Sequence, residues 1–437
     1  MIIYIIIVLF FIYYGRKNYE KAFPIWIAFS IATHYGTCLK ATPPALTVTI
    51  VLNLYFLTLF FFRCNFKKAF MRFPLKNEFL LVLISYFISS IFSRNPFSNT
   101  ILNTIQVLIN DYLIIIAIWF SIRKKYQLQL LIKSLGIIVI IATIYGIVAF
   151  ITNSNPIIEF EMSLLPTELN KMSLADQTNR GLKAQSFFLS PTNFGAYIAL
   201  FWLILTMLYS KYKHLFYIST RNYTIITGLI IVATTLIKTR SSIFSFFLIL
   251  VLFMIKKKFW VSKYAFPLTI VTLLFIPFIL ENIAPYITSI FDSDSKEITG
   301  SSIDMRMNQL SIILDFFLQN PITGLGIGSM DFVRARNWDI YGAESIWFWL
   351  LLERGIIGTL SFIWIFISVI KKLSTTRTNL YLHLTTLYWI VLQTMTTTVG
   401  VSIFWYFLII FLIVRGDRVL LNSYKVNKLD TIKRRNT

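Results

Sequence analysis

The chain has 437 residues, 57% of them hydrophobic and 14% charged, with a mean hydropathy of +0.70. This excludes an ordinary soluble domain, a disordered chain and a disulfide scaffold. The net charge of +22 leaves two readings, nucleic-acid binding or a biased membrane topology, and the placement of the charges decides between them.

In chain order, apolar runs lie near 1–14, 22–37, 42–62, 77–93, 100–121, 129–152, 184–209, 222–237, 241–255, 264–281, 345–370, 379–397 and 402–414. They are too long and too continuously apolar for outer-membrane barrel strands, which alternate over about ten residues. Helices satisfy their own backbone in lipid, so the runs predict an all-α polytopic membrane bundle. The first run would rise only about 21 Å as a helix, against a hydrocarbon core of roughly 30 Å. It lacks the basic start and small-residue cleavage site of a signal peptide. The expectation is twelve or thirteen transmembrane helices in a single integral membrane domain, 1–437.

Basic residues segregate between the runs. Of the 41 Lys and Arg, 28 fall in one alternate set of loops and a basic tail at 415–437, and 11 in the opposite set. By the positive-inside bias the richer set is cytoplasmic, as is the C-terminus. The charge therefore reads as topology, with no nucleic-acid partner. Two long loops, 153–183 and 282–344, face the other side. The second holds eight acids against four bases. A loop of this length in a compact protein is usually functional.

Cys38 and Cys64 are expected at opposite ends of neighbouring spans, too far apart for a disulfide. His34, His214 and His383 are scattered, with no metal-site spacing, and no Walker loop is present.

Chemistry concentrates in four segments on the acidic side. In NRGLKAQSFFLSPTNFGAYIAL (179–200), Arg180 and Lys183 precede a span opened by Pro191-Thr192-Asn193. In LIKTRSSIFSF (236–246), Lys238 and Arg240 sit between two spans. Bases there can snorkel to lipid phosphates, yet Arg also suits bidentate phosphate binding. Residues 301–328 predict an amphipathic helix with Arg306 in its first turn and apolar positions Ile303, Leu310, Ile313, Leu314 and Phe317 on one face. Ser302 or Asp304 would cap it, Asn320-Pro321 would end it, and Gly324, Gly326 and Gly328 would allow a tight turn or close approach. Taken alone, Arg306 would be a solvated base paired with Asp304 or lipid phosphate. In AESIWFWLLLERGIIG (343–358), Glu344 and Ser345 lie at the mouth of a long span, where Glu344 is either an interfacial carboxylate near the helix N-terminus or a general base. Glu353 and Arg354, deeper in that helix, are expected to pair with neighbouring spans.

These segments resemble, in order, the motifs of the O-antigen ligase/O-antigen polymerase superfamily of polytopic glycosyltransferases. SFFLSPTNFGAYIAL is similar to that family's span-opening segment, and KTRSSIFSFF to its Ser-Arg-small motif. MRMNQLSIILDFFLQNPITGLGIGSM resembles its Arg-bearing loop helix and Gly-x-Gly turn. ESIWFWLLLERGIIG resembles its His/Glu-Asn/Ser motif, nine residues ahead of Gly-x-x-Gly. Ligases of the family typically carry His where this chain has Glu344, and polymerases often have Glu-Ser, so the resemblance implies a polymerase. The alternatives are a ligase moving a finished glycan to lipid A core or protein, and a lipid-linked oligosaccharide flippase or other transporter.

The resemblance further implies the fold of lipid-dependent membrane glycosyltransferases and undecaprenyl-diphosphate-linked oligosaccharides as donor and acceptor. It implies no nucleotide sugar, cofactor or metal, a site in the bacterial inner membrane among membrane lipids, and a chain-length regulator and flippase as pathway partners. Catalysis would fall to Glu344 as base and Arg306 as charge stabiliser, with Arg240, Arg180 and Lys238 on substrate diphosphates. Trp338, Tyr341, Trp347 and Trp349 would pack, anchor at the interface or shape a sugar groove.

Overall fold

A computed structural model describes residues 2–33, 37–40, 46–93, 97–164, 183–188, 190–257, 303–334, 345–373, 379–396 and 401–415. The architecture is an all-α polytopic helix bundle. The first half holds α1 (Ile2–Lys17), α2 (Tyr19–Ser30), α3 (Val48–Arg63), α4 (Phe66–Met71), α5 (Lys76–Ile91), α6 (Phe97–Val107), α7 (Ile114–Ser121), α8 (Lys125–Thr152) and α9 (Pro156–Leu164). The second half holds α10 (Pro191–Phe216), α11 (Thr220–Leu236), α12 (Arg240–Lys256), α13 (Ile303–Phe317), α14 (Ser329–Arg334), α15 (Ile346–Leu373), α16 (Asn379–Met395) and α17 (Val401–Arg415). A π-helical turn at Leu108–Leu113 joins α6 to α7.

Among the described residues, four helices are long and apolar enough to cross a membrane: Thr100–Ser121, Lys125–Thr152, Pro191–Lys213 and Ile346–Lys371. Other expected spans form shorter helices, such as the 16 residues of α3 and α5 and the 17 of α11, α12 and α16. These fall short of the roughly 20 residues of a full crossing, a mismatch that bilayer thinning and snorkelling flanks absorb. The apolar run near 264–281 lies outside the described residues.

Two boundaries differ from the sequence reading for local reasons. The run from 42 becomes helical only at Val48, because Leu46–Thr47 pair as a strand with Cys38–Lys40 and Thr47 caps α3 by accepting from Ile50 N. The run from 184 becomes helical only at Pro191. Ser190 caps that helix, accepting from Asn193 N at 3.1 Å, and proline at the first helical position already has its φ fixed.

Lipid-facing chemistry is plain on α8. Ile137, Ile141, Ile144, Val148 and Ile151 form an exposed stripe, while Leu128, Leu131, Leu135, Val139 and Ala142 are buried on the other side. A stripe of this kind is a liability in water and normal against lipid, which marks a membrane protein.

The basic loops gather at one end of the bundle. Arg63 lies over the Tyr19 ring at 5.0 Å, and Lys124 pairs with Glu20 at 2.9 Å. Tyr126 also donates to Glu20, and this bond and the Lys124 pairing hold the Glu20 carboxyl below its usual range. Ser210 and Lys257 both meet Tyr381. Gly136 against Phe201 and Gly146 against Phe194 set α8 antiparallel to α10, so the start of α8 and the end of α10 share this end. The starts of α10, α12 and α15 and the end of α16 lie at the opposite end.

Candidate functional site

The site is built at the end of the bundle where α15 begins. Ser345 is buried and caps α15, its Oγ accepting from Trp347 N at 3.3 Å. Trp347 Nε1 donates to Thr394 Oγ1 at 2.9 Å, tying the mouth of α15 to the last turn of α16. Arg306, in the first turn of α13 and half-buried, donates from Nη2 to the carbonyl of Met395 at 3.3 Å. The final carbonyls of a helix have no partner within it and carry partial negative charge, so a guanidinium is well placed there. Three helices thus converge on one spot through Arg306, Trp347, Thr394 and Met395.

Arg240 opens α12, which runs antiparallel to α16. The Phe253 and Tyr381 rings are 6.0 Å apart, and Lys257 Nζ lies 5.8 Å from the Tyr381 ring. Counting back along α12 and forward along α16 at equal rise per residue, that register carries Arg240 to the level of Thr394. Arg240 and Arg306 therefore belong to the same end of α16.

Lys238 sits two residues before α12 in a left-handed conformation, φ 50°, with Nζ 5.1 Å from the Phe150 ring. Its neighbourhood joins two of the motif segments: Ala184 N donates to Leu236 O at 2.9 Å, and Asn155 Nδ2 to Ser186 O at 2.8 Å. Of the two serines after Arg240, Ser242 serves the helix contact. A Cβ on Gly195 would lie 2.9 Å from Ser242 Cβ, so glycine and serine together let α10 and α12 approach closely. Arg180 and Glu344 lie outside the described residues.

The glycine-rich turn after α13 docks on a break in α15. Gly355, with φ 58° and ψ −155°, interrupts the helix. The chain from Pro321 fills the gap with four backbone bonds. Leu325 N donates to Leu352 O at 2.8 Å and Gly326 N to Glu353 O at 3.0 Å. Ile356 N donates to Pro321 O at 2.9 Å and Ile357 N to Ile322 O at 3.2 Å. The buried Glu353 carboxylate adds to this, Oε1 accepting from Gly328 N at 3.0 Å and Met330 N at 3.4 Å. The next residue, Arg354, lies over the Tyr86 ring of α5, 3.3 Å from its centroid, and donates to the Tyr86 hydroxyl.

Sequence reasoning expected Glu353 and Arg354 to pair with neighbouring spans. Arg354 does so, while Glu353 binds the backbone of the glycine turn. Nothing in the spacing of Glu353 from Gly328 signals that bond, because it arises from a tertiary approach across the helix break. A separate small core of Ile313, Leu325, Met330, Val333 and Leu352 cements α13, the turn and α14 to the first half of α15.

Residues 223–363 match the family model described as O-antigen ligase. That stretch runs from α11 into α15 and includes Lys238, Arg240, Arg306 and the docked turn, and it leaves Arg180 outside. No curated protein matches the chain. Over residues 223–363, about a third of the chain, the sequence is similar to the O-antigen ligase family, whose members are glycosyltransferase-like enzymes.

Proposed function

We propose that this protein is a polysaccharide polymerase of O-antigen or capsule type. It joins undecaprenyl-diphosphate-linked oligosaccharide repeats on the outer face of the bacterial inner membrane, with its C-terminus in the cytoplasm. The observation that carries the reading is the convergence of Arg306 and Trp347, both inside the segment that matches the family, on Met395 and Thr394 at the end of α16. The basic loops at the opposite end support the orientation, because the positive-inside bias turns that end to the cytoplasm.

The reaction releases a lipid diphosphate, and negative charge grows on the oxygen that bridged it to the sugar. Arg306 and Arg240 stabilise that charge, with Arg180 and Lys238 holding the diphosphates of donor and acceptor. Glu344 takes the proton from the attacking sugar hydroxyl. The charges of these side chains serve without a metal or a nucleotide sugar.

The description of the matching family favours a second reading, the ligase. Deletion separates the two. Loss of a polymerase leaves single repeats on the lipid core, whereas loss of a ligase leaves polymer on the lipid carrier. Repeats accumulating on the cytoplasmic side would contradict both and indicate a flippase.

A further inference from the structure

Resting on the transferase reading, we propose that Glu353 is a positioning residue. It fixes the Arg306-bearing helix α13 against the mouth of α15 by clamping the glycine turn between them. Three observations carry this. One carboxylate oxygen, Oε1, accepts from both Gly328 N and Met330 N, so a single atom holds the end of the turn and the start of α14. Glu353 stands two residues before the break at Gly355 and is bracketed by bonds from Gly326 N to its own carbonyl and from Leu325 N to Leu352. The elements so joined share a core of their own, which includes Ile313 of α13 and Leu352 of α15.

Arg306 lies two helical turns ahead of Ile313, about 10 Å along α13. Tilting that helix on its anchor therefore moves the guanidinium most. Displacement of a positioned group by about 1 Å can cost a factor of about a hundred in rate. The clamp depends on acceptor position rather than on charge. A glutamine at 353 presents a carbonyl oxygen at the same reach, while an aspartate keeps the charge and falls one methylene short.

The test uses the full-length protein in lipid nanodiscs with Glu353→Gln and Glu353→Asp. Amide hydrogen exchange is followed over residues 321–334, and glycan transfer is measured as kcat and KM with a lipid-linked repeat. Glu353→Gln is expected to match the unaltered protein in both. Glu353→Asp is expected to raise exchange at Gly328 and Met330 and to lower kcat about tenfold or more with KM little changed, as for a misplaced transition-state contact. The reverse order, with Asp active and Gln impaired, overturns the proposal, as does unchanged exchange in Glu353→Asp. If the unaltered protein transfers nothing, the transferase reading and the positioning role fall together, and raised exchange in Glu353→Asp then shows only that the turn is held.

Discussion

Gly324 and Gly355 lie backbone against backbone. A Cβ on Gly324 would sit 2.5 Å from Arg354 N, and one on Gly355 would sit 2.6 Å from Gly324 N. Both have positive φ, 71° and 58°, which L side chains adopt only with strain. Gly355→Ala should therefore lower stability by about 1–3 kcal/mol or more. Thermal unfolding in detergent checks this, and an unchanged midpoint would mean that the docked turn is not as described.

Arg306→Ala should abolish polymer longer than single repeats while the protein remains in the membrane at its usual level. Arg306→Lys should restore little, because an ammonium lacks the planar fork of donors. Glycan ladders on gels report both. A normal ladder in Arg306→Ala would remove this residue from the reaction.

Close approach of α10 to α12 rests on Gly195 facing Ser242. Gly195→Val should overpack the contact and cost about 1–3 kcal/mol. Because Arg240 starts α12 two residues before Ser242, transfer should fall as well. Paired measurements of melting and activity are the check. Full stability in Gly195→Val would contradict the tight contact.

Glu20 supplies a pH dependence. The Tyr126 hydrogen bond, then that of Lys124, depresses its folded pKa. A depressed carboxylate pKa adds stability above the unfolded-state pKa, and this is lost as pH falls through the folded value. The group is exposed, so the gain is at most about 1 kcal/mol. Glu20→Gln should lower the melting point slightly at neutral pH and not at all in strong acid. A deficit of equal size at both pH values would exclude the linkage.

Much of the bundle was legible because lipid leaves the chain few options. Long apolar runs must close their own hydrogen bonds, and alternate basic loops report the side on which they stay. The exposed stripe from Ile137 to Ile151 and the gathering of Arg63, Lys124 and Lys257 at one end follow from those two constraints. The hairpin of Cys38–Lys40 with Leu46–Thr47 was not legible, because short polar-flanked strands leave no periodic signal in an apolar sequence.

At the site, local chemistry was legible and tertiary partners were not. The turn at Gly324, Gly326 and Gly328 could be read from its glycines, all three at positive φ. Its partner, the break at Gly355, could not, because that residue lies in an otherwise helical apolar run. Arg306 was singled out for its residue type, and its bond to Met395 depends on where α16 happens to end.

The most direct measurement is transfer by the purified protein in vesicles supplied only with undecaprenyl-diphosphate-linked repeat units. The account predicts release of undecaprenyl diphosphate together with glycans of two or more repeats, lost in Arg306→Ala and in Glu344→Gln. Intact substrate after incubation with the unaltered protein, or equal product from both variants, would contradict it.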